Sequence, residues 1–95
     1  MAEQRIPAEV FPPGEYIADE LKARGWTTAD LARRMGGDNP GMDQLAIDLL
    51  IAVHDKNLIL DEQTAFGLGR AFGTSARLWI NLDRMWRGLP SLDSN

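Results

Sequence analysis

The stretch PGEYIADELKARGWTTADLARRMG, residues 13–36, decides the fold class. Pro13 suits the first turn of a helix, where its missing N–H costs nothing, and Gly25 suits the residue just past the end. Between them Ile17 and Leu21 stand one turn apart, which predicts a helix from Pro13 or Gly14 to about Ala23 with both facing inward. Thr27-Thr28-Ala29-Asp30 then has the form of a capping box, with Asp30 in the place usually held by Glu. It opens a second helix that carries Leu31 and Met35 inward and ends at Gly36-Gly37.

The same signals continue outward. Pro40 and Gly41 precede a third helix of roughly fourteen residues, to about His54. A fourth covers about Asp61 to Phe72. Gly67 and Gly69 weaken it by on the order of 1 kcal/mol each, which predicts close helix–helix approach as the compensation. Gly73 stops it, Thr74 or Ser75 caps a fifth helix over about 76–87, and no period-2 alternation is long enough for a sheet. Residues 1–12, with Pro7 and Pro12, read as an arm and residues 89–95 as a frayed tail, leaving one domain over 13–88. The class is all-α, a compact five-helix bundle.

Composition bounds the function. A chain of 95 residues with 44% apolar and 25% charged residues is an ordinary small globule, too small for a large catalytic cavity. The lack of cysteine excludes disulfides, zinc–thiolate sites and thiol chemistry. No apolar run approaches the roughly 20 residues of a membrane span, and MAEQRIPAEV at the start has no signal-peptide core, so a cytoplasmic location without membrane contact is expected. No nucleophile–base spacing is present, and His54, the single histidine, reads as a surface residue; no enzyme, cofactor or metal is expected. Trp79, Trp86, Leu78, Leu82 and Met85 form an apolar stripe at helical spacing and read as core, with Trp26 packed into it. Arg77, Arg84 and Arg87 line the outer side of the last helix with Ile80, either as a solvated face or as a docking stripe for an acidic surface.

Two stretches carry a family resemblance. Residues 13–36 resemble the opening of HigA-type antitoxins, members of the Xre-like helix-turn-helix repressors. Residues 64–83, TAFGLGRAFGTSARLWINLD, resemble the end of the same domain, with Gly73-Thr74-Ser75, Trp79, Asn81 and Leu82 in matching order and spacing. The resemblance implies a λ-repressor-like helix-turn-helix fold, a homodimer, a partner toxin to neutralise and repression of the chain's own operon. Between Gly36 and Ala65 the chain is about eight residues longer than the resemblance implies, and its chemistry differs.

Ala32, Gly36, Met42 and Leu45 occupy the offsets at which a helix-turn-helix locks its second helix. Wound at about 100° per residue, residues 42–55 place Met42, Leu45, Ala46, Leu49, Leu50 and Val53 on one broad face, predicted as the core face. The opposite face then holds Asp43, Gln44, Ile47, Asp48, Ile51, His54 and Asp55, where a DNA reader would present Arg, Lys, Asn or Gln. From Gly37 to Glu62 six acidic residues stand against Lys56 alone. The candidate DNA contacts are Arg33, Arg34, Asn39, Gln44 and Lys56, and the carboxylates predict weak duplex binding. The candidate protein contacts are Asp43, Ile47, Asp48, Ile51, Ile80 and Arg84, with Ile47 and Ile51 expected to be anchors for a partner or covered by the arm or a dimer mate. Two functions follow: an antitoxin-like regulator, or a helix-turn-helix-derived adaptor or inhibitor that does not bind DNA.

Overall fold

Helix α1 runs Pro13–Arg24, begun by Pro13 at its first position and ended by Gly25 at φ 70°, where the Trp26 N–H reaches back to the Leu21 carbonyl at 3.0 Å. These features belong to a computed structural model that describes residues 11–55, 58 and 60–92. Helix α2 spans Thr28–Met35, α3 Pro40–Ala52, α4 Glu62–Phe72 and α5 Ala76–Trp86. Among the described residues there are these five helices and no strand, so the fold is an all-α bundle.

Side-chain caps define four of the five starts. The Thr27 hydroxyl accepts from Asp30 N–H at 3.1 Å while the Asp30 carboxylate accepts from Thr27 N–H at 3.0 Å, a complete capping box. Asn39, Asp61 and Ser75 cap α3, α4 and α5 by accepting from the N–H three residues on. The α2 C-terminus is closed from outside the helix: Arg70 Nε donates to the Met35 carbonyl at 2.7 Å, a cation at the negative end of the dipole.

α2 lies at the centre, packed on α3 and on α4; α4 packs on α5, and α1 closes the ring against α3 and α5. Ile17, Leu31, Met35, Ile47, Leu68 and Trp79 fill the interior, joined by Leu60 from the connection between α3 and α4. Trp26 stacks on Phe72 with ring centroids 5.8 Å apart, and Phe72 meets Trp79 at 5.6 Å. The Trp79 indole N–H is satisfied by Thr74 Oγ1 at 2.8 Å.

The glycines of α4 answer their cost as expected. A Cβ on Gly69 would lie 2.8 Å from the Thr74 carbonyl oxygen, and one on Gly67 would lie 2.7 Å from Met35 Cε. At Gly69 the opposing atoms are backbone of the turn into α5, an approach that only glycine admits, whereas at Gly67 they are the Met35 side chain, which packs into the space that glycine leaves.

Three expectations are corrected. Residues 89–92 are not frayed: Arg84 Nε donates to the Pro90 carbonyl at 2.7 Å, and Leu92 N–H donates to Asn81 Oδ1 at 2.6 Å, folding the segment back along α5. The α5 stripe is only partly core, because Trp79 is buried while Leu78 is exposed. Helix α3 is turned about its axis relative to the predicted face. Leu50 is buried as predicted, but Ile47 is also fully buried and Ile51 packs against the core, whereas Met42 and Leu45, expected to lock α3 in place, are exposed. The expected arm over residues 1–12 lies outside the described residues except for Phe11 and Pro12.

Candidate functional site

The rotation of α3 creates the most distinctive surface of the molecule. Met42, Leu45, Leu49 and Val53 are 59%, 52%, 42% and 42% exposed. At the helical repeat they fall within an arc of about 80° and form a seam about 16 Å long. Nearly every position of α3 from 45 to 52 is apolar, so one apolar row faces the core and a second faces water.

The seam has an acidic margin. Exposed Asp48 stands beside Leu45 and Leu49, one helical position from the row. At the N-terminal end Met42 also lines a cleft of about 310 Å³, shared with Asp38, Asp43, Ala46 and Asp61. Asp61 accepts the Thr64 N–H at 2.7 Å with one oxygen, and Asp43 turns toward Gly37. Residues 40–55 contain three aspartates and no lysine or arginine, so no cation within α3 offsets this margin.

Four of the five candidate DNA contacts are described, and each makes a contact within the chain. Arg33 pairs with the Asp30 carboxylate. Arg34 lies over the Trp26 ring at 4.2 Å from its centroid. Asn39 Oδ1 accepts the Met42 N–H as the α3 cap, and Gln44 Nε2 turns back to Thr28 Oγ1 at 3.4 Å. Lys56 lies outside the described residues. Of the four described groups, the two cations, Arg33 and Arg34, stand on α2, and Gln44 on α3 is uncharged.

The candidate protein contacts divide. Asp48 is exposed and Asp43 half-buried beside the seam. Ile47 cannot anchor a partner because it has no accessible surface, and Ile51 and Ile80 are half-buried against the core. Arg84 is tied to the Pro90 carbonyl. Residue patterning missed Leu45, Leu49, Met42 and Val53 as surface groups. Its one available signal was quantitative: α3 holds more apolar residues than a single face of a thirteen-residue helix accommodates.

Two buried or charged features lie elsewhere. Asp83 Oδ2 accepts from Arg87 Nη2 at 2.6 Å and Nε at 3.0 Å, a pair that joins α5 to its C-terminal cap residue. A second cleft, of about 340 Å³, lies between α1 and α5 and is lined by Tyr16, Phe72, Leu78 and Leu82. Among the described residues no three His, Asp or Glu side chains converge as a metal site, and no helix is long and apolar enough to cross a membrane.

No protein-family model, curated protein or solved structure matches the chain. The functional reading therefore rests on the α3 surface itself.

Proposed function

We propose that the chain is a protein-binding regulator on a helix-turn-helix-type scaffold, acting through the outward face of α3, with duplex DNA binding weak or absent. The observation that carries this is the row Met42, Leu45, Leu49, Val53 with acidic margins, on the helix where a DNA reader would present cations. An exposed apolar row on a small domain is a surface awaiting cover, and carboxylates beside it repel phosphate. The antitoxin activity implied by the HigA-type resemblance is one form of this function, with a toxin protein as the partner. An adaptor or inhibitor is the other, favoured by Gln44, the side chain best suited to read a base, being turned back to Thr28.

Co-expression with the product of the adjacent reading frame tests the proposal. A one-to-one complex that relieves growth arrest by that product, and that Leu45→Ser with Leu49→Ser dissolves, is the expected outcome. Retention of the complex by the double variant would remove α3 as the binding surface. The homodimer is a separate proposal, removed if sedimentation at micromolar concentration shows only the 10.6 kDa chain.

A further inference from the structure

The chemistry of the α3 surface narrows what can cover it. A peptide that adds as a β-strand is poorly matched, because it needs backbone partners and the α3 backbone is already hydrogen-bonded within its own helix. A helix satisfies its own backbone and offers side chains at the spacing of the seam. Positions 42, 45 and 49 follow the alternating three- and four-residue spacing by which one helix inserts its side chains between those of another.

A second α3 is also poorly matched. Packed antiparallel about the middle of the seam, two copies bring Asp48 within about a turn of its own counterpart on the same flank. Neither helix contributes a lysine or arginine over residues 40–55 to offset that repulsion. The acidic cleft beside Met42, with Asp38, Asp43 and Asp61, is likewise complementary to a cation.

We infer that the α3 seam receives one amphipathic helix of a different protein, its apolar edge on Met42, Leu45, Leu49 and Val53 and its Lys or Arg side chains against Asp48 and the cleft. The long stem of such a side chain covers Met42 while its head reaches the carboxylates. This rests on α3 being the binding face and adds the fold and charge of the partner.

The full chain is titrated by fluorescence anisotropy against a synthetic three-heptad peptide with Leu at the seam positions and Lys at the flanks. A glutamate-flanked version and a scrambled lysine version of the same composition are the comparisons. The lysine-flanked helix is expected to bind, weakening as salt rises from about 0.05 to about 0.5 M, with the other two at least about tenfold weaker. Leu45→Ser with Leu49→Ser should cost about tenfold or more, and Asp48→Lys should shift preference toward the glutamate-flanked helix. Both sites are exposed, and melting of each variant checks that the fold is retained.

Equal binding of the scrambled peptide, or indifference to the leucine substitutions, overturns the inference. So does a dimer of the chain that the leucine substitutions dissolve, which would make a second copy the occupant. Binding that arises only after deletion of residues 1–10 would name the arm instead and overturn it too. Should the peptide fail while the leucine substitutions still dissolve the co-expressed complex, α3 remains the binding face and only the partner's description falls.

Discussion

Gly14 lies flat against Leu50: a Cβ built on it would sit 2.5 Å from the Leu50 carbonyl carbon and 3.0 Å from Ile51 Cα. The atoms in the way are backbone, so no rotamer change can relieve the clash. This contact seats α1 on α3 and helps set which side of α3 turns inward. Gly14→Ala should therefore force the helices apart and cost more than about 3 kcal/mol, a large share of the 5–15 kcal/mol of an ordinary domain. Gly67→Ala, opposed by the flexible Met35 side chain, should cost less. Thermal melts of the two variants check the order, and equal losses would remove the backbone contact as the cause.

The turn of α3 about its axis is directly measurable. Ile47→Ala empties a fully buried site and should cost about 2–4 kcal/mol, while Leu45→Ala and Leu49→Ala should stay within about 0.5 kcal/mol. Denaturant midpoints in the opposite order would return α3 to the orientation that its apolar pattern predicts.

Trp79→Ala should cost about 3–5 kcal/mol, because the ring is buried between Phe72 and the core and also satisfies Thr74. Thr74→Val should cost only about 1–2 kcal/mol, for the indole N–H left without its acceptor. A Thr74→Val loss as large as that of Trp79→Ala would mean that the hydrogen bond, not the packing, dominates the site.

The α2 cap carries a pH signature. The Thr27 backbone N–H, followed by its hydroxyl and by Arg33, holds the Asp30 carboxyl below its ordinary pKa against the opposing effect of desolvation. A carboxyl lowered on folding stabilises fully above its unfolded pKa of about 3.9, and that contribution is lost as pH falls from there through the folded value. Corrected for the intrinsic base-catalysed rate, the protection of the Thr27 and Asp30 amides against exchange should fall below about pH 4, and Asp30→Asn should flatten that response. An unchanged profile in the variant would assign the effect to other carboxylates.

Duplex DNA should bind weakly. Titration against the chain's own upstream DNA at two salt concentrations is expected to show at most micromolar affinity, the non-specific range. Nanomolar binding with a steep salt slope, lost on Gln44→Ala, would restore the plain repressor reading.

Local chemistry alone determined the five helices. Pro13, the Thr27–Asp30 box, Gly25, Gly36 and Gly73 each act within a turn of their own position, and all appear where the residues place them. The close approaches at Gly67 and Gly69 were legible for the same reason, since glycine inside a helix needs a compensating contact. The candidate site was not legible. α3 is apolar nearly all round, so its periodicity points to no single face: residues 42, 45, 49 and 53 are as good a core row on paper as 47 and 51, and Leu50, between the two, is buried with either choice. Tertiary contact made that choice: Gly14 admits the Leu50–Ile51 backbone, and Ile47 enters the core. The acidic margin was written in the sequence, but the leucines it flanks became a surface only when packing on α1 and α2 turned them outward.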